Sequence, residues 1–258
     1  RMLSKNQLKL INSLRLSKNR QEEGLFIAEG VKLVDELLSS DFAVEKIFAT
    51  AGWISGSHIP KHRYLVDIVE ISQQELEKIS VLNTPNQVLA IARIPETHAA
   101  GDLSGEWVLA LDQIRDPGNL GTIIRTADWF GIDRIVAASG SVDIWNPKVV
   151  QASMGSVFRM PFHYVDLQKF LNTHASQVPV YGTLLEGEDV TTVRFKTGGI
   201  VVIGNESHGI SEEIIPLITG RITIPGALKG PKGRAESLNA SIAAALICYE
   251  IRRQHPLG

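Results

Sequence analysis

The 258-residue sequence contains a single cysteine, Cys248, set inside the apolar run IAAALICYE. Without a second cysteine there is no disulfide framework, so Cys248 is expected to be a core residue of a reduced, intracellular protein rather than a nucleophile. No apolar run approaches the roughly 20 residues that a membrane span requires. The first residues are charged and lack the apolar stretch of a signal peptide, which predicts a cytoplasmic protein with no membrane partner. Net charge is also scarce, at -2, so no global field draws in polyanions. Neither G-x-G-x-x-G after a strand nor G-x-x-x-x-G-K-[ST] occurs, which excludes a dinucleotide fingerprint and a P-loop. There is no H-E-x-x-H, and Pro60 between His58 and His62 spoils a shared helix face, so no metal is expected. Ser207-His208 in GNESHG invites a serine-hydrolase reading, but the G-x-S-x-G elbow is not met.

The chain does have apolar mass, at 44% hydrophobic residues, enough for a real core in one large or two small domains. Its cations are also clustered. Lys5, Lys9, Arg15, Lys18 and Arg20 lie in a stretch with no acid, and Lys229, Lys232 and Arg234 lie in a second one. Each could be an ordinary solvated face, but two such clusters make a polyanion a candidate partner.

Residues 1–95 read as a small α/β unit. A basic amphipathic helix with Leu8, Ile11, Leu14 and Leu16 opens it, followed by the strand GLFIAEG and the helix VKLVDELLSS. VEKIFAT and RYLVDIVE read as strands, Ser72 with Glu75 as a capping box, and NQVLAIARI as a last strand. Residues 96–105 are small, polar and Gly-containing, as linkers are. From 106 to 258 strands alternate with helices, Asn146-Pro147 marks a helix start, and runs such as VVIG and IVAA lack polar alternation. Such runs are covered on both faces, so the fold class is α/β with a mostly parallel sheet.

Ligands of parallel sheets sit at the carboxyl ends of the strands. Four loops leave such ends: QIRDPGNLG, TLLEG, NESHG and GALKGPKGRAESLN. Taken singly, each is explained by turn formation; four at one edge point to a site. Arg125 stands out in the otherwise apolar helix TIIRTADWF. It either pairs with Asp128 or Asp116 or snorkels to the surface, or it faces an anionic ligand or developing oxyanion.

LDQIRDPGNLGTIIRTADWFGI, VVIGNESHGIS and ITIP…AESLNASIAAAL resemble the three signature blocks of the SpoU family, 2′-O-ribose methyltransferases of the SPOUT superfamily. NPKVVQASMGSVFRMP resembles the family's intermediate segment, and GLFIAEGVKLVDELL its N-terminal RNA-binding domain, similar to ribosomal protein L30e. The resemblance implies a trefoil-knotted sheet in 106–258, a homodimer, S-adenosylmethionine as cofactor and RNA as substrate. Structured 23S-type rRNA comes first, with tRNA as the alternative and a non-catalytic RNA-binding protein on the same fold as a further one. It assigns Asn119 and Arg125 as the first block's catalytic pair, Glu206 to the second block, and Ser237 and Asn239 to the third. Cofactor contacts fall on Thr183, Leu184, Gly204, Asn205, Gly209, Ile224 and Leu238. Gln151 stands where many relatives carry a basic residue. A guanidinium does not give up its proton at accessible pH, so Arg125 is expected to stabilise the forming alkoxide as a cation. The proton then goes to water or another acceptor.

Overall fold

The computed structural model describes residues 3–56, 59, 66–96, 101–226 and 236–256. It comprises two units. The first contains Arg1–Glu96 with Asp143–Arg159, and the second Thr97–Val142 with Met160–Gly258.

In the first unit α1 (Lys5–Ser13) and α2 (Ser17–Glu23) precede β1 (Leu25–Glu29), α3 (Val31–Ser39), β2 (Val44–Ala49) and α4 (Ala51–Gly56). β3 (Asp67–Glu70), α5 (Gln73–Ile79) and β4 (Val88–Arg93) follow. The sheet order is β1-β4-β2-β3, with only the β2–β3 pair parallel. α1 buries Ile11 and, just past its end, Leu14, against Leu76 and Ile79 of α5 and Ile27, Phe48, Leu89 and Ile91 of the sheet. The box foreseen at Ser72 forms, with Glu75 accepting from the Ser72 N–H and Ser72 accepting from the Glu75 N–H.

The segment from Asp143 to Arg159 lies beyond residue 106 in sequence yet belongs to this first core. α7 (Pro147–Ser153) is capped by the Asn146 side chain, as Asn-Pro suggests. Trp145 packs 4.5 Å from Phe26 between ring centroids, and Phe158 packs 5.4 Å from Phe42. Gly155, at φ 93°, lies so close to Glu36 that a Cβ there would meet its Cγ at 2.8 Å. Local periodicity identifies the helix, but it carries no information on which core the helix covers.

The second unit has β5 (Trp107–Leu111), α6 (Pro117–Trp129), β6 (Arg134–Ala138), β7 (Phe162–Val165) and α8 (Leu167–His174), then β8 (Val180–Asp189), β9 (Gly199–Ile203), β10 (Gly220–Thr223) and α9 (Ala240–Gln254). Its strands run in the order β10-β8-β9-β5-β6-β7, and every pair is parallel. β5 and β9 are buried at every position, as strands without polar alternation should be. α9 packs on α6 and on β9. Within it, burial pushes the Cys248 thiol up to about 12, so it behaves as a small hydrophobe. No helix among the described residues is long and apolar enough to cross a membrane.

Candidate active site

At the carboxyl edge of the parallel sheet, Asp116 caps α6 by accepting from the Asn119 N–H at 2.8 Å, and Pro117 occupies the first helical turn. This holds Asn119, which is 8% exposed, against the end of the sheet. Its Nδ2 donates to Glu206 Oε1 at 2.9 Å, and its Oδ1 accepts from Asn239 Nδ2 at 2.8 Å. Asn239 in turn caps α9, its Oδ1 accepting from the Ser241 N–H at 2.9 Å and the Ser241 hydroxyl at 2.6 Å. The direction of this chain is fixed at one end. A backbone N–H can only donate, so Asn239 must turn its oxygen to α9, which leaves its NH₂ for Asn119. Asn119 then has only its own NH₂ to offer Glu206, and an ionised carboxylate there can only accept.

Glu206 sits in a tight loop closed by paired backbone hydrogen bonds between Asn205 and Gly209. Here Gly204 is required, since a Cβ on it would lie 2.4 Å from the Gly209 backbone. Two further residues brace the loop. Asn205 Nδ2 donates to the Gln113 carbonyl at 2.7 Å, and the Ser211 N–H donates to Asp112 Oδ2 at 2.6 Å. Asp112 is 2% exposed. It was missed in the sequence, although an acid ending the apolar strand VLALD is a visible signal.

Beside this network lies a cavity of about 560 Å³. Its wall contains all seven positions assigned to the cofactor, Thr183, Leu184, Gly204, Asn205, Gly209, Ile224 and Leu238, together with Glu206 and Ser237. Sequence reading did not find Ala243 and Ile247 of α9, Arg221 of β10, Glu186 of β8, or His208, which also line it. The two α9 residues carry no signal beyond ordinary helix periodicity.

Arg125 lies elsewhere. It is exposed, it is not part of the cavity wall, and it pairs with neither Asp116 nor Asp128. Among the described residues it makes no hydrogen bond. It shares one face of α6 with Thr122 and Trp129, three residues before it and four after.

The cations assigned to RNA divide. Lys5, Lys9 and Lys18 are exposed, and Lys18 is 3.7 Å from the also exposed Glu22. The Arg15 guanidinium caps α5 by donating to the Ile79 and Ser80 carbonyls. Arg20 is a correction. It is 1% exposed, ion-paired with Asp143 at 2.5 Å, and it donates to the Leu14 and Arg15 carbonyls. A guanidinium with its donors consumed inside a core cannot reach a phosphate, and composition alone does not separate it from its exposed neighbours. Lys229, Lys232 and Arg234, like His58 and His62, lie outside the described residues. Among the described residues no group of three or more His, Cys, Asp or Glu is arranged to hold a metal ion.

Residues 106–249 match the model of the SpoU rRNA methylase family, and residues 5–90 match that of the MRM3-like substrate binding domain. The chain belongs to the SpoU rRNA methylase family. It is 31% identical, over 96% of its length and 97% of the relative's, to the 23S rRNA (guanosine(2553)-2′-O)-methyltransferase RlmP of Bacillus subtilis. A TrmH-family protein from Porphyromonas gingivalis superposes with a TM-score of 0.87 at 37% identity, covering 98% of this chain and all of that one. An AdoMet-bound rRNA methyltransferase from Sinorhizobium meliloti superposes with a TM-score of 0.86 at 30% identity, covering 100% and 99%. In SpoU family terms, the Glu206–Asn119–Asn239 chain draws one residue from each of the three signature blocks.

Proposed function

We propose that this SpoU family member transfers a methyl group from S-adenosylmethionine to a ribose 2′-hydroxyl of structured 23S-type rRNA, working as a homodimer in the cytoplasm. The observation that carries this reading is the polar chain linking all three blocks beside a cavity of small-molecule size. The cavity's volume falls inside the range of about 300–1,000 Å³ typical of such sites. Its wall suits the cofactor. Ile224, Leu238 and Ile210 offer apolar surface for a nucleobase, and the Gly204–Gly209 loop offers backbone N–H and C=O groups at close approach. When bound, the cofactor supplies a methyl group activated by its sulfonium. Asn119 and Asn239 hold Glu206 and the start of α9 in register. Ser237, exposed and without a hydrogen bond among the described residues, is free to bind the acceptor ribose.

Arg125 stays cationic and stabilises the oxygen as its proton departs. That effect is weak in bulk water and strong where water is excluded. Trp129, 82% exposed, shares its face, and Ile242, Leu246 and Tyr249 of the adjacent α9 are 49%, 42% and 56% exposed. So much unpartnered apolar surface fits a second copy of the chain. Pairing through it would also desolvate Arg125. The knot belongs to the same reading: β10 lies at the sheet edge beside β8, while α9, next in sequence, packs back on α6 and β9. Residues 1–95, with exposed Lys5, Lys9 and Lys18 and with Asp143–Arg159 packed into the same core, serve as the RNA-grasping domain, 96–105 as the linker and the rest of 106–258 as the catalytic domain. The rRNA target is supported by the Bacillus subtilis relative.

The test is incubation of the protein with radiolabelled S-adenosylmethionine and total RNA or precursor ribosomal particles from a strain lacking the gene, followed by mapping of the labelled ribose. Label in 23S-type rRNA is expected. Label confined to tRNA would move the substrate to the alternative, and cofactor binding with no label in any RNA would leave a non-catalytic RNA binder.

A further inference from the structure

His208 is a side chain of the cavity wall for which the family blocks supply no role. It lies two residues from Glu206 in the loop closed by Asn205 and Gly209. The protonation of its ring can be read from its neighbours. Asn205 donates through Nδ2 to the Gln113 carbonyl at 2.7 Å, a group that can only accept. Its Oδ1 therefore faces back into the loop, where it accepts from the Ser207 N–H at 2.8 Å and the His208 N–H at 3.3 Å. His208 Nδ1 lies 3.4 Å from that same oxygen. Two lone pairs facing each other repel, so Nδ1 carries the hydrogen. A neutral imidazole has only one, which leaves Nε2 with its lone pair. His208 is exposed, so a proton taken up there passes readily to solvent.

We propose that His208 Nε2 is the acceptor for the proton of the ribose 2′-hydroxyl. This rests on the methyl-transfer reading above and supplies the acceptor that an always-charged Arg125 cannot be. As the O2′–CH₃ bond forms, the CH₃–S bond breaks and its electron pair stays on sulfur, giving a neutral thioether. The hydroxyl proton goes to Nε2, and the resulting imidazolium returns it to water. Asn205 is then a positioning residue: it fixes the tautomer and holds the ring, as carboxylates and carbonyls commonly do for catalytic histidines.

The first test does not depend on turnover. In ¹⁵N-histidine-labelled protein without cofactor, the His208 imidazole should give the nitrogen shifts of the Nδ1–H tautomer; an Nε2–H ring overturns the proposal. The second compares variants. H208N retains an N–H for Asn205 but no base, and its single-turnover rate should fall about 100-fold or more, with calorimetric S-adenosylmethionine affinity within about twofold of wild type. H208A should fall similarly and regain rate in proportion to added imidazole. A rate for H208N within about threefold of wild type, or a rate loss matched by lost cofactor affinity, overturns the role. If the wild-type protein methylates no RNA, the methyl-transfer reading itself fails, a result distinct from a failure of His208 alone.

Discussion

The two units use their polar groups differently. In the first, the ionisable side chains that touch the core are consumed by the architecture, while Lys5, Lys9 and Lys18 stay in solvent. Arg20 is buried on Asp143 and two carbonyls, Arg15 caps α5, and Glu29, 2% exposed, accepts from the Ser80 hydroxyl and from the Val81 N–H. In the second, Asp112 is likewise taken by the Ser211 N–H and Arg252 by the Phe130 and Gly131 carbonyls. Yet Glu206, His208 and Ser237 stay exposed beside the held amides of Asn119 and Asn239, and Arg125 stays exposed on α6. Sheet construction underlies the contrast. The mixed four-stranded sheet has a single parallel pair, whereas all six strands of the other deliver their loops to one edge. A group whose hydrogen bonds are all satisfied by the chain contributes to shape, and one that is positioned but unsatisfied remains available to a ligand.

The sharpest way to break this comparison is at Arg20. Arg20→Ala leaves Asp143 uncompensated and should cost about 3–5 kcal/mol of unfolding free energy in urea, while S-adenosylmethionine affinity stays within twofold. A loss below about 1 kcal/mol would show that the buried pair is not structural after all. Next comes Arg125→Lys, which keeps the charge but loses the guanidinium fork. Single-turnover methylation should drop about 100-fold, in line with the loss of one oxyanion donor, with little change in unfolding. Near-normal turnover with unchanged RNA affinity would remove the fork from the mechanism.

Trp129→Glu should shift the protein from dimer to monomer in sedimentation equilibrium at micromolar concentration and leave each unit folded. If the variant sediments like wild type, the α6–α9 face is not where copies meet. The smallest effect concerns Glu29, whose carboxyl is pushed above its ordinary value of 4.5 chiefly by burial, against the opposing Ser80 and Val81 hydrogen bonds and the Arg15 charge. A raised folded-state pKa means that the native state binds the proton more tightly. Stability from this group therefore grows as pH falls through the raised value and levels off below the ordinary one. Glu29→Gln should flatten that part of the stability–pH curve, and an unchanged slope would contradict the assignment.

Much of this was legible in the residues, and the rest was not for physical reasons. Ser72 with Glu75, and Asn146 before Pro147, act within one helical turn, so sequence alone reveals them. VLAL and IVVI lack alternation because both faces are covered, a property each strand carries by itself. β7 with α8 went unread because FHYV is short and α8 is capped by a lone Asp166. The placement of Asp143 to Arg159 in the first core depends on Phe26 and Phe42, more than a hundred residues earlier in the chain. The seven cofactor positions came from the family resemblance and line one cavity, whereas the burial of Arg20 and the exposure of Arg125 depend on neighbours that no local pattern names.

The link from Asn119 to Asn239 spans 120 positions and ends on the cap of the last helix. During synthesis, Asn119 and Glu206 are made well before the residue that steadies them. A chain cut short before Asn239 lacks the group that donates to Asn119 Oδ1, and with it the third member of the polar chain. The site therefore needs residues made on both sides of a span of 120 positions.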